Sequence, residues 1–129
     1  KRWDMSKNKI IIDLDDTICK TNNGDYKNSI PKEEVIEKIK EYKNLGFQII
    51  IYTSRNMRTY KGNIDLIKVN TLPIIIKWLE KFEVPYDQII VGKPWPSYGG
   101  FYVDDKAIRP DEFVNLNYSE IQEIINANN

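Results

Sequence analysis

The sequence contains no histidine. That absence excludes a Ser-His-Asp triad, a Cys-His dyad, histidine-ligated metals and phosphohistidine chemistry. Any catalysis falls to carboxylates, hydroxyls, lysine, arginine or a bound ion. Cysteine is nearly absent as well. Cys19 stands alone, so an intramolecular disulfide is excluded and a reducing, cytoplasmic setting is the expectation. Charge of one sign is not in excess: Lys+Arg and Asp+Glu number 19 each, and the formal net charge is zero. This balance offers no general attraction for nucleic acid or membranes, and neither is expected as a partner. No apolar run reaches the roughly 18 residues of a membrane span, and no signal-peptide pattern is visible.

What is present is a chain of 129 residues, read as one domain over 1–129 and long enough to bury a core without staples. Residues 1–4 precede Met5, which reads as a native start, so they read as linker or added residues. The polar stretch 126–129 reads as a frayed tail. Apolar runs alternate with helical patterns, the signature of a parallel sheet covered by helices. Lys9 to Leu14, with three consecutive isoleucines, reads as a buried strand. Asn22-Asn23-Gly24-Asp25 marks a turn inside a polar hairpin or flap over Cys19 to Ser29. Pro31 is expected to open a helix carrying Val35, Ile36, Ile39 and Tyr42, with Gly46 just past its end. Phe47 to Thr53 reads as a second strand, and Arg55 to Asn70 as an irregular or partly helical loop. Thr71 is expected to cap a helix running to about Phe82, on which Trp78 and Phe82 read as core. Gln88 to Gly92 and Gly100 to Val103 read as third and fourth strands. Pro110 to Phe113 reads as a turn or helix start, and Ser119 to Asn126 as an amphipathic helix.

The four strand ends carry the chemistry. The first ends in Asp13 and Asp15, the second in Thr53 and Ser54. The third leads to Lys93, and the fourth to Asp104 and Asp105. In open parallel sheets, ligands bind at the carboxyl ends of the strands, so these groups are expected to converge. The combination suits a phosphate monoester. A carboxylate nucleophile and a dianionic ester repel each other, and the attack needs cations to cancel that repulsion. Asp13 and Asp104 are natural magnesium ligands. Lys93 supplies a fixed positive charge, and Thr53 a hydroxyl donor. Asp15 lies two residues from Asp13, on the same side of an extended segment, and fits a general acid. Thr17 is expected to hydrogen-bond within the loop. Arg55, Arg58 and Lys61 read equally well as phosphate ligands or as solvated loop charges. Trp95 and Tyr98 read as packing residues or as platforms for a sugar ring. Cys19 reads as a small packing residue rather than a nucleophile.

These residues carry a resemblance. Asp13-Leu14-Asp15-Asp16-Thr17 resembles motif I (DxDxT) of the haloacid dehalogenase superfamily. Thr53-Ser54 resembles motif II, Lys93 in Gly92-Lys93-Pro94-Trp95 resembles motif III, and Asp104-Asp105 resembles the paired-acid motif IV. The resemblance implies a Rossmann-like α/β/α fold with a mostly parallel sheet, and a phosphoric monoester hydrolase acting through an aspartyl-phosphate on Asp13. It implies Asp15 as acid/base and Mg2+ held by Asp13, the Asp15 carbonyl and Asp104, with Asp105 beside them. Thr17, Ser54 and Arg55 become substrate-binding candidates. The longer stretches Tyr52-Thr53-Ser54-Arg55-Asn56-Met57, Gly92-Lys93-Pro94-Trp95 and Val103-Asp104-Asp105-Lys106-Ala107 resemble small phosphatases of capsule and polysaccharide biosynthesis, which implies a sugar phosphate as substrate. Larger relatives insert a cap domain after motif I or between motifs II and III. Both gaps here are too short, so a capless member is expected, shielded by a homo-oligomer, the substrate's bulk or the 55–70 loop.

Other readings differ at stated features. A receiver domain places its phosphorylated aspartate at the third strand, where this chain has Lys93. A non-catalytic binding module has no need of all four motifs. A phosphotransferase or mutase of the same superfamily would use the same residues but exclude water.

Overall fold

The computed structural model describes residues 3–127. The expectations for the extreme ends, at 1–2 and 128–129, lie outside the described residues. The chain falls into two compact units, Lys1–Trp95 and Pro96–Asn129, each taken by itself below.

The first unit is built on a parallel sheet. Strands β1 (Lys9–Ile12), β4 (Gln48–Thr53) and β5 (Gln88–Val91) lie in the order β1-β4-β5. Ile10 to Ile12 register with Ile49 to Ile51, and Ile51 to Thr53 with Ile89 to Val91. β4 is central. A strand covered on both faces should be continuously apolar rather than alternating, and Ile49, Ile50 and Ile51 are at most 2% exposed. Helix α1 (Glu33–Asn44) buries Val35, Ile36, Ile39 and Tyr42, the stripe that the helical spacing predicts. Leu45 caps the end of α1 and is followed by Gly46 at φ +98°, a left-handed position that suits glycine. Lys43 on α1 pairs with Asp87 at 2.6 Å, and Asp87 also accepts from the Ile49 N–H at 2.7 Å. This fixes the end of α1 to the start of β5 and to the central strand.

Between β1 and α1 the chain makes a two-stranded antiparallel flap, β2 (Cys19–Lys20) with β3 (Ile30–Pro31). Asn23 and Gly24 both have positive φ, and Asp25 N–H closes onto the Asn22 carbonyl. This is the mirror-image turn that a tight Asn-Gly pair favours. Pro31 therefore does not open the helix as expected. It ends β3 opposite Cys19, and α1 begins two residues later.

The 55–70 segment is more ordered than its polarity suggests. Successive turns over residues 54–63 lead into α2 (Ile64–Asn70), capped by the Asn63 side chain on the Leu66 N–H. Helix α3 (Leu72–Lys81) follows at once and buries Ile75, Trp78 and Leu79. Thr71 does precede α3, but its hydroxyl does not cap it. The hydroxyl donates to the Asn56 side-chain carbonyl at 2.6 Å and pins the loop instead. Trp78 is core, as expected, and its indole N–H donates to the Ser29 carbonyl at 2.8 Å, tying the flap to α3. Neither insertion is a cap domain. No helix among the described residues is long and apolar enough to cross a membrane.

The second unit holds helices α4 (Pro110–Asn115) and α5 (Tyr118–Asn126). Asn117 caps α5, with its side chain and that of Glu120 bonding each other's backbone N–H reciprocally. Phe113 and Ile121 are buried. The expected fourth strand is not formed. Gly100–Val103 belongs to no strand, and Phe101 and Val103 are 80% and 89% exposed. An apolar run supplies side chains for a ladder, but a strand exists only where a neighbouring backbone completes its hydrogen bonds.

Candidate active site

β1 ends one residue before Asp13, and the loop that follows folds back on the Leu14 carbonyl. That carbonyl accepts from the N–H groups of Thr17, Ile18 and Cys19. Asp16 sits at φ +62°, a left-handed position that aspartate tolerates better than most residues, and its N–H donates to the Cys19 carbonyl at 2.7 Å. The result is a tight loop with Asp13 at its mouth. Asp16 acts on loop shape and stays exposed. The Thr17 hydroxyl donates to Asp13 Oδ2 at 3.4 Å, and Lys93 Nζ stands 3.8 Å from Asp13 Oδ1.

Lys93 reaches that position through its backbone. The Lys93 N–H donates to the Thr53 carbonyl at 3.1 Å, tying the exit of β5 to the exit of β4. Gly92, just before it, has φ +88°, and a Cβ there would stand 2.5 Å from Ile64 Cδ1. The left-handed φ favours glycine at this bend. Thr53 is buried, and its Oγ1 accepts from the Arg55 N–H at 3.0 Å. Burial pushes the Asp13 carboxyl above its usual range. The Lys93 charge and the Leu14 N–H pull it back, and the nearby Asp15 charge pushes it up further.

Arg55 resolves an ambiguity left by the sequence. It is not a solvated loop charge, being only 4% exposed. Its Nε donates to Asp15 Oδ2 at 2.9 Å and its Nη2 to Asp15 Oδ1 at 2.8 Å, a bidentate pair. The guanidinium lies 4.3 Å from the Tyr26 ring of the flap. Nη1 is buried with no hydrogen-bond partner among the described residues. Asp15 Oδ1 also accepts from the Thr21 hydroxyl at 2.9 Å, and Thr21 lies 2.6 Å from the Ser29 hydroxyl. Thr21, Tyr26 and Ser29 were not candidates on sequence grounds. The available signal was the polarity of a hairpin next to two aspartates. Arg58 and Lys61 are exposed, and so is Tyr98, while Trp95 is 37% exposed.

The first unit thus brings together Asp13, Asp15, Thr17, Thr53, Arg55 and Lys93, with Ser54 next in the chain. Asp104 and Asp105 lie in the second unit and are exposed, and Asp104 Oδ1 accepts from the Lys106 N–H at 2.8 Å. Among the described residues no three acidic or thiol side chains gather as a ready metal cluster. Asp13 nevertheless offers a mostly buried carboxylate that keeps a partly exposed edge. Among the described residues, no backbone N–H donates to the Asp15 carbonyl. Hard oxygens of this kind suit Mg2+, which commonly takes one or two carboxylates and completes its shell with water and substrate oxygens.

Cys19 is excluded from the chemistry. It is fully buried, and burial with the neighbouring Asp15 charge pushes its thiol up to about 11. The folded protein is therefore expected to resist alkylation at pH 8, measured by intact mass after iodoacetamide, and to gain one adduct only when denatured. Rapid labelling of the native protein would contradict this environment.

A family model described as haloacid dehalogenase-like hydrolase matches residues 10–77, over half the chain, including Asp13, Asp15, Thr53 and Arg55. The crystal structure of an MCSG target from Vibrio cholerae is similar at 51% identity and a TM-score of 0.92, covering 95% of this chain and 99% of that one. A chain in the structure of a Pnkp1/Rnl/Hen1 complex is similar in fold alone. It shows 19% identity and a TM-score of 0.50, covering 70% of this chain and 30% of that one. No curated protein matches the chain. With the DxDxT loop at the exit of β1, Lys93 beside it and the parallel sheet beneath, the chain belongs to the haloacid dehalogenase-like hydrolases.

Proposed function

We propose that the protein is a Mg2+-dependent phosphatase that hydrolyses a phosphate monoester through an aspartyl-phosphate on Asp13. The observation that carries this reading is Asp13 at the mouth of a tight loop, flanked by Lys93 at 3.8 Å and followed two residues later by Asp15. An Asp13 oxygen attacks phosphorus and the bond to the leaving oxygen breaks. Asp15 gives that oxygen a proton, then takes one from the water that attacks the acyl phosphate, and the bond to Asp13 breaks. The Lys93 ammonium offsets the charge on the transferring oxygens. Thr53 accepts from the backbone through its oxygen, which leaves its hydroxyl hydrogen to donate to the phosphoryl group. Asp13 and the Asp15 carbonyl would hold Mg2+, and Thr17 and Ser54 would border the substrate. When bound, the cation would cancel repulsion between nucleophile and ester.

Asp15 carries a constraint of its own. Both of its oxygens accept hydrogen bonds, from Arg55 and Thr21. Delivering a proton therefore requires Arg55 to release one oxygen as the substrate enters. The buried Nη1 is the part of Arg55 with capacity left for a substrate oxygen. A phosphorylated sugar of surface polysaccharide assembly is the substrate class we favour, on the resemblance of the Tyr52–Met57 and Val103–Ala107 stretches. The small flap and the absence of a cap domain favour transfer to water over transfer to a second sugar.

The test is phosphate release from an aryl phosphate and from a set of sugar and polyol phosphates. Turnover is expected with Mg2+, loss of activity by about 100-fold or more in excess chelator, and recovery when Mg2+ is restored. Full turnover in chelator would sink the metal requirement.

A further inference from the structure

The two oxygens of Asp15 are not held alike. Oδ2 accepts one hydrogen bond, from Arg55 Nε at 2.9 Å. Oδ1 accepts two, from Arg55 Nη2 at 2.8 Å and from the Thr21 hydroxyl at 2.9 Å, and the Cys19 thiol stands 3.7 Å away as a weaker third neighbour. Thr21 follows β2 and Ser29 precedes β3, so the pair continues the flap register in which Lys20 faces Ile30. Their hydroxyls lie 2.6 Å apart across the hairpin. A hydroxyl has one hydrogen to give. With the Thr21 hydrogen on the carboxylate, Ser29 is the donor at that contact and shares its hydrogen with the Tyr26 carbonyl, 2.9 Å away. Accepting from Ser29 polarises the Thr21 O–H and strengthens its bond to Asp15.

The hydroxyl pair is fixed from outside the flap. Ser29 is 4% exposed, and its carbonyl accepts from Trp78 Nε1 on α3 at 2.8 Å. The Arg55 loop is pinned to the entry of the same helix through Asn56 and Thr71. Two segments with one base therefore meet at Asp15, one through Arg55 and the other through Thr21. The difference between the oxygens matters when Arg55 lets go. Releasing Nε from Oδ2 breaks one bond and leaves Oδ1 with both of its donors. Freeing Oδ1 instead would break two bonds and leave the carboxylate on Nε alone.

We propose that Thr21, backed by Ser29, is a positioning residue for the acid step: it anchors Asp15 Oδ1, so that Oδ2 is the oxygen Arg55 surrenders to the leaving group. The proton that Asp15 delivers then passes from Oδ2 to the leaving oxygen. Thr21 acts through Asp15. Without its hydroxyl, release of Nε would leave the carboxylate hung on a single Arg55 prong and free to turn, and a misaligned acid loses rate without losing substrate. The part played in turnover rests on the phosphatase reading above, whereas the anchoring of Oδ1 does not.

Substitutions in the full chain test it. Thr21→Val keeps the branched shape and removes the hydroxyl. It is expected to lower kcat about tenfold on an alkyl phosphate, with KM within about twofold, and to leave a nitrophenyl ester, whose leaving group needs no proton, nearly unchanged. Thr21→Ser restores the hydroxyl and is expected to recover most of the loss. Ser29→Ala is expected to show the same pattern at about threefold. Wild-type kcat for Thr21→Val on the alkyl ester, or an equal loss on both esters that serine does not recover, would overturn the proposal. A second readout needs no activity. Arg55→Lys removes the two-pronged hold, and in its crystal structure Asp15 Oδ1 is expected to stay within hydrogen-bond distance of the Thr21 hydroxyl. A carboxylate turned away from Thr21 would overturn the anchor. A wild type that turns over neither ester would end the phosphatase reading instead, and the crystal structure would then decide the anchor by itself.

Discussion

Asp13→Asn is expected to lose at least about ten-thousand-fold in kcat on an aryl phosphate, and to melt at a higher temperature than the wild type when both are metal-free. The loss follows from removing the nucleophile, since the remaining groups position a substrate without a covalent step. The gain in stability follows from burial. Asp13 is pushed above the usual carboxylate value of 3.8 chiefly by desolvation, with Lys93 offsetting part of it. A carboxyl with a raised folded-state value holds its proton more tightly folded than unfolded. Its ionised form therefore costs stability, fully at neutral pH, and the cost fades as pH falls through the folded value. Asparagine carries no such charge. The difference in Tm should be present at pH 7 and shrink toward pH 4, by calorimetry in chelator. A lower Tm for the variant at pH 7 would contradict the desolvated environment. The site is thus placed where function costs stability.

Arg55→Lys is expected to lower kcat by about 100-fold, with a smaller effect on KM. Lysine keeps the charge but cannot form the two-pronged contact that holds Asp15. The loss should be larger for an alkyl phosphate, such as a sugar phosphate, than for a nitrophenyl ester. An alkoxide needs the proton that Asp15 delivers, and a nitrophenolate leaves without it. Arg55→Met goes further and leaves Asp15 as a largely buried, unpaired charge. About 3 kcal/mol of stability is expected to be lost, the low end for breaking a buried pair because Asp15 retains some exposure. A rise in KM alone, equal for both ester types, would instead assign Arg55 to substrate binding.

Much of this arrangement was legible in the sequence, and the failures have physical causes. The run Ile49–Ile51 marks a strand because only a covered sheet accommodates it, while the three isoleucines before Asp13 form β1 with Ile11 59% exposed, so that strand is not the buried one expected. The positions of Asp13, Thr53 and Lys93 follow from strand ends, a local property. Arg55 was legible only as one of two readings, site ligand or solvated charge. A charge after a strand looks the same whether it faces water or a buried carboxylate, and only the folded flap, with Tyr26 and Thr21, decides. Pro31 suits the first turn of a helix and also the end of an edge strand, and pairing with Cys19 selected the second. Thr71 was expected as a cap, but a neighbouring amide, Asn56, offered its hydroxyl a better partner. Gly100–Val103 has the composition of a strand, and composition does not supply the neighbour that a strand requires.

The central claim is that Asp13 carries the phosphoryl group. Acid quenching of the full-length protein during turnover of an aryl phosphate in Mg2+, followed by peptide mass mapping, tests it most directly. Phosphate on the peptide containing Asp13, absent from Asp13→Asn and from enzyme quenched without substrate, is the result this account predicts. Turnover with no covalent phosphate under any quench time, or with phosphate on a residue other than Asp13, would contradict it.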